Sequence, residues 1–417
     1  MQVRIFPAVW CALMIASSLA DAHQFDLGVG QNARVESNIF GSPTDPITDG
    51  TYRINPSLGL SGKFDSFRGG KYRASYRPSY LWYFRSKGVN SFDNKANGSA
   101  TIDITRRDRL SASASYTEFS SVQAISQAAE DGSFDVLASN AGETIRAFGD
   151  LTYSRSLDSR SNLQLNFDFQ DYAYRQSRNV GNKSVGAVAS YSRGFSERMM
   201  LGASLASRYR IFDKQQFVGS SKVVVSNLGI LGSFRISPNF VFDFQGGPSL
   251  ISTTPGTVVG RPQPDSNDDF TYFADISLTR KFRDSNLRLN YTRNEDASGG
   301  SSRTSVADSI SLSFNSAVDE FWTVNAVLGW SRRQTVDAFL ILNPLTLAPL
   351  AFTQETRLDR AWVGVGAARR LGKRILLRFG FRYQSWTDYK VSGVDRPNQD
   401  NFSGLVSLNY EFSPYIF

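Results

Sequence analysis

Cysteine and histidine are nearly missing from this sequence. Its 417 residues hold one cysteine, Cys11, and one histidine, His23. One cysteine excludes a disulfide framework, and the pair of shortages excludes ordinary zinc, copper or haem ligation. Hydrolytic chemistry mostly needs a histidine as base or as partner of a nucleophile. His23, close to the start of the chain, cannot serve a site at a distant rim. No P-loop or dinucleotide fingerprint occurs. The sequence therefore predicts no enzyme, no cofactor and no metal; Asp265, Asp268 and Asp269 read as a solvated acidic loop rather than as calcium ligands.

Long apolar runs are missing too. Beyond residue 22 nothing approaches the ~20 apolar residues of a spanning helix, and the mean hydropathy is −0.29. That average does not exclude a transmembrane barrel, whose polar lumen face cancels its apolar lipid face in any window. The net charge of +8 is dispersed along the chain without a recognisable binding module, so nucleic acid is not an expected partner.

The N-terminus carries a positive residue, Arg4, an apolar stretch from Ile5 to Ala20, and Ala20-Asp21-Ala22. This is the layout of a cleaved signal peptide over residues 1–22, with residues 23–417 as the exported domain. Ala8, Val9 and Trp10 before Cys11 are not the lead-in of a lipoprotein signal, so no lipid anchor is expected.

From Gln24 onward the dominant pattern has a period of two. In NLQLNFDFQ, Leu163, Leu165, Phe167 and Phe169 alternate with Gln164, Asn166, Asp168 and Gln170. In RILLRFGFRYQSW, Ile375, Leu377, Phe379, Phe381 and Tyr383 oppose Arg374, Arg378, Arg382 and Gln384. Side chains on a strand alternate between faces, so each segment is a strand with one apolar and one polar face. Connections alternate as well. Short turns fall at Arg107-Asp108, Leu157 to Arg160, Phe195 to Glu197, Ser237 to Asn239, Arg283 to Ser285 and Gly372-Lys373. Longer polar segments fall near 86–96, 121–142, 175–182, 213–221, 254–268, 295–303, 335–353 and 388–400.

A soluble barrel of this size needs apolar residues inside. Here the polar face must line a wet lumen, so the apolar face must meet lipid. The expected fold is all-β: a single transmembrane antiparallel up-and-down barrel of about 18 strands, with 16 possible, in the outer membrane. Short turns are expected in the periplasm and long loops outside the cell.

By parity the lumen receives Lys71, Arg73, Arg77, Arg208, Arg210, Arg235, Arg288, Arg333, Arg374, Arg378 and Arg382, facing the acids Asp150, Asp168, Asp243, Asp275 and Glu411. The basic excess predicts a path for anions and hydroxyl-rich solutes, with part of the arginines pairing across the lumen. Alternation begins almost at residue 24, which argues against a preceding plug domain and hence against plugged, energy-coupled uptake receptors.

The first third of the chain carries Glu36-Ser37-Asn38, a P-x-L-x-L strand (Pro56, Leu58, Leu60), a Y-x-x-x-Y strand in YRASYRPSY, and an N-x-F-D turn (Asn90, Phe92, Asp93). Over about 100 residues this resembles a family of β-barrel porins encoded near exopolysaccharide loci. The resemblance implies an outer-membrane pore for a secreted polysaccharide, working with a periplasmic polysaccharide export protein. Two further readings of the residues stay open: a general or anion-preferring diffusion porin carrying small anionic solutes, and a non-conducting structural or interaction barrel.

Overall fold

The computed structural model describes residues 23–37, 47–64, 69–86, 90–120, 143–175, 181–213, 220–256, 266–297, 304–342, 349–391, 394–395, 399–412 and 415–416. The expected signal peptide (1–22), the loop 121–142 and the terminal Phe417 lie outside these residues.

Each alternating segment forms a strand. In chain order these are β1 (His23–Glu36), β2 (Asp49–Phe64), β3 (Gly70–Tyr83), β4 (Ser91–Asp103), β5 (Asp108–Ser120) and β6 (Glu143–Ser156), then β7 (Ser161–Arg175), β8 (Asn182–Ser196), β9 (Met199–Phe212), β10 (Lys222–Ser237), β11 (Phe240–Thr254) and β12 (Asn267–Lys281). They continue as β13 (Ser285–Ala297), β14 (Thr304–Ala317), β15 (Trp322–Leu342), β16 (Pro349–Leu371), β17 (Ile375–Val391), the two-residue β18 (Val394–Asp395), β19 (Gln399–Glu411) and the two-residue β20 (Tyr415–Ile416). Every wall strand pairs antiparallel with its sequence neighbours. The ring closes where β19 pairs with β1, Gly28 opposite Glu411 through Glu36 opposite Ser403. β18 only prolongs the end of β17, and β20 continues the line of β19 along β1. The wall is thus an all-β closed antiparallel barrel of 18 strands. Closure joins the first and last strands of the wall, as hydrocarbon requires of a spanning sheet.

The register assigns the faces. Leu27 pairs with Leu58, Leu151 with Phe167, Leu328 with Val363 and Phe379 with Val406. All eight side chains are exposed. Exposed apolar side chains matched across neighbouring strands are the outer face of a barrel in lipid. The opposite parity carries serine, asparagine, aspartate and arginine and faces inward.

At the short-turn end, turns are fixed by side-chain acceptors. Asp158 accepts from the amides of Arg160 and Ser161 at 2.7 and 2.8 Å, and Asp319 accepts from those of Phe321 and Trp322. Gly372 takes a left-handed φ of 73°, where a side chain is strained.

Two sequence expectations change. Residues 335–353 were expected as a loop; instead β15 and β16 pair from Trp322 opposite Arg369 up to Leu342 opposite Pro349. Backbone pairing between the two strands carries the ladder beyond residue 334 despite Pro349. The segment Asn90 to Asp93 is not a turn but the entry to β4, with the Asn90 side chain accepting from the Tyr83 amide at 2.9 Å.

Replacing Phe379 and Phe381 by Arg puts two charges on the lipid face, at roughly 2–4 kcal/mol each near the midplane. The double variant is expected to lose the heat-modifiable gel shift of an inserted barrel, while Arg378→Ser retains it. An inserted double variant reverses the face assignment.

Candidate functional site in the barrel lumen

One wall of the lumen is basic. Lys63 on β2 lies opposite Lys71 on β3, and Arg77 lies opposite Lys95 on β4. Arg73 stands between, and all five are exposed on the inner face. Just above them Arg53 does find an acid, Asp93, at 3.9 Å. Among the described residues the five themselves have no ion pair. Like charges directly opposite one another across strands repel, so such a patch is tolerated only where water or a bound anion reaches it.

The basic wall continues around the closure. A cavity of about 1030 Å³ is lined by Arg34, Arg370, Arg378 and Arg382 together with Asn315, Asn325 and Ser403. Arg34 on β1 is held by Glu36 at 2.8 Å and donates to Ser403 Oγ at 3.3 Å. Arg378 and Arg382 project from β17 across from Ser407 and Ser403 of β19. Arg378 is exposed to the cavity and has no ion pair among the described residues. Forked guanidinium donors spaced along one strand suit carboxylates, phosphates or vicinal hydroxyls.

Above this cavity the wall turns aromatic. Trp362 lies flat on Gly329 of β15, where an added Cβ would come within 2.1 Å of its Cζ2. Arg360 is buried between Trp362 and Trp386, 5.3 and 5.9 Å from their ring centroids, and donates to Gln384 Oε1 at 2.6 Å.

The facing wall carries the acids, and most are satisfied. Arg208 reaches both oxygens of Asp168 at 2.9 Å, passing over β8 at Gly186, where a Cβ would stand 2.4 Å from Asp168 Oδ1. Asn166 bonds Asp150 and, at 2.9 Å, Thr152. Asp275 lies within electrostatic reach of Asp243 and of Arg288. Gln245 donates to Ser204 at 3.1 Å across β10.

At the long-loop end the inner face is buried rather than wet. Arg146 stacks on Phe119 and Tyr172, 5.0 and 5.3 Å from the ring centroids. Arg333 donates to Ser305 Oγ at 2.6 Å. Arg210 of β9 pairs with Glu295 of β13, with both side chains buried.

Of the residues expected in the lumen, the register places Lys71, Arg73, Arg77, Arg208, Arg210, Arg235, Arg288, Arg333, Arg378 and Arg382 on the inner face. Arg374 does not belong with them: it sits in the tight turn before β17, where its carbonyl accepts from the Glu411 amide at 2.9 Å, because Gly372-Lys373 is too short to turn the chain without it. The inward residues also separate into different environments. Arg208, Arg210 and Arg333 are tied down by partners, whereas Lys71, Arg73, Arg77 and Arg378 are open to the lumen. The inward set read from the sequence does not include Arg34, Lys63, Lys95, Arg146, Arg360 and Arg370, although all have the inward parity; those on β16 share a face with Trp362, which masks the polar stripe.

No known protein family matches the chain, and no curated protein does. Solved structures share the fold. One is the FrpB iron transporter of Neisseria meningitidis in its F5-1 variant apoprotein form, with a TM-score of 0.51 at 9% identity over 93% of this chain and 81% of that one. Another is the siderophore receptor PiuA of Acinetobacter baumannii, with a TM-score of 0.50 at 9% identity over 93% and 82%. Together with the closed wall, they define the class: a barrel of the outer-membrane type. The expectation of exopolysaccharide export is overturned. Nothing links the chain to exopolysaccharide loci, and its structural neighbours are an iron transporter and a siderophore receptor.

Gly329→Ala forces Trp362 off its seat. The variant is expected to lose about 1–3 kcal/mol of stability, the usual cost of overpacking, in guanidinium unfolding, with a shift in tryptophan emission. Unchanged stability and emission remove Trp362 from its seat on Gly329.

Proposed function

We propose that the barrel takes up a small polyanionic ligand, binding it on the basic lumen wall before release toward the short-turn end. The observation that carries this reading is the concentration of inward cations without acid partners among the described residues, Lys63, Lys71, Arg73, Arg77, Lys95 and Arg378, beside a cavity of about 1030 Å³. A wall of this kind with its acids placed opposite sets a field across the lumen that concentrates anions. In this reading the leader over residues 1–22 delivers the chain, the short turns lie in the periplasm, and the long loops face outward. The neighbours of the same fold, described as an iron transporter and a siderophore receptor, accord with uptake.

Citrate, with three carboxylates, is a suitable probe. Arg378→Ser combined with Arg77→Ser removes two charge-assisted donors at about 1.5–3 kcal/mol each. Citrate binding to the purified full chain by calorimetry is expected to weaken at least tenfold, and to fall with added salt. Equal binding by the variant and the parent contradicts the reading.

A further inference from the structure

The wall has a seam. β12 and β13 pair from Lys281 opposite Asn286 only as far as Ala274 opposite Arg293. Above that point β12 runs on to Asn267, paired with β11 alone. β13 runs on to Ala297, paired with β14 alone. Among the described residues no second strand is laddered to β12 above Ala274, and Phe270 there is 78% exposed.

The two edges overlap rather than gape. Glu295 and Val306 lie opposite each other, two residues beyond the pair Arg293 and Asp308. Parity with the exposed Leu289 and Ile310 puts both on the outer face. Yet Val306 packs on Phe212, Val223, Val225 and Ile251, inner-face residues of β9, β10 and β11, and Glu295 pairs with the inward Arg210. Both contacts require β13 at Glu295 and β14 at Val306 to lie inside the margin of β12. Outside, a latch holds the base of the seam. The Arg293 guanidinium lies 4.3 Å from the Tyr272 ring centroid and bonds Asp308 at 2.7 Å; Tyr291 donates to the same carboxylate at 2.9 Å.

A backbone margin without partners is costly in hydrocarbon, and the charges on the outer surface beside it put the seam at the membrane–water boundary. There it offers Phe270 and Tyr272 outside and the buried cluster within the overlap, with the carboxylate-paired guanidiniums of Arg293 and Arg210 at its base. We propose that the seam is a lateral binding site for a long-chain fatty acid. The carboxylate takes the place of Glu295 on Arg210, and the tail lies along Phe270 and the Phe212–Val223–Val225–Ile251 cluster. This site is separate from the lumenal cavity.

The test uses the full chain with Cys11→Ser, Val225→Cys and Val306→Cys, joined by a short bifunctional thiol reagent. The uncrosslinked protein is expected to bind radiolabelled oleate, and the crosslinked protein at least tenfold more weakly, with citrate binding the same in both. Arg210→Met is expected to weaken oleate but not the uncharged oleyl alcohol. Failure of the two cysteines to crosslink overturns the overlap. Equal oleate binding before and after crosslinking, or equal loss of oleate and oleyl alcohol in Arg210→Met, overturns the site.

Discussion

A sheet that crosses a bilayer must satisfy its own backbone. Each unpaired amide or carbonyl in hydrocarbon costs several kcal/mol, and a sheet meets that demand only by closing. In this chain closure depends on β19 finding β1, a pairing between the two ends of the domain, from Gly28 opposite Glu411 to Glu36 opposite Ser403. Once the ring is shut, alternation does the rest: one parity faces acyl chains and the other encloses water. The interior chemistry follows from that constraint, because polar residues excluded from lipid have nowhere else to go.

Inside, charge is distributed by wall. The strands next to the closure, β17 and β2 to β4, carry the cations that have no ion pair among the described residues, whereas the arginines of β9 meet Asp168 and Glu295. Glycines allow pairs to form across an intervening strand, as Gly186 does for Asp168 and Arg208. The acids thereby consume their nearest arginines, and the cations on the other side are left for water or ligand. At the long-loop end side chains meet between non-adjacent strands, as Arg210 of β9 does with Glu295 of β13. The same pair lies where the β12–β13 ladder stops short.

Most of the wall was legible in the sequence because strand periodicity is local. Leu163 to Gln170 and Ile375 to Gln384 alternate without a break, and the short turns stand where acids and glycine mark them. What the sequence could not show was non-local. Arg374 has the parity of Arg378 but falls in a turn, since parity says nothing about where a ladder begins. Residues 335–353 looked like a loop because proline and polar residues interrupt the pattern, yet pairing with the partner strand overrides them. Whether an inward arginine is free or bound depends on which strand crosses the lumen to meet it. Glu295, on the outer parity, meets Arg210 only because β13 there lies inside the margin of β12.

The central claim is that one parity faces lipid and the other a wet lumen. Nitroxide labels placed singly at each position from Leu376 to Arg382, in the Cys11→Ser chain reconstituted in vesicles, measure it directly. Accessibility to oxygen should peak at Leu377, Phe379 and Phe381, and accessibility to a water-soluble nickel chelate at Leu376, Arg378, Gly380 and Arg382, in opposite phase with a period of two. The reverse phase, or no alternation at all, would contradict the account.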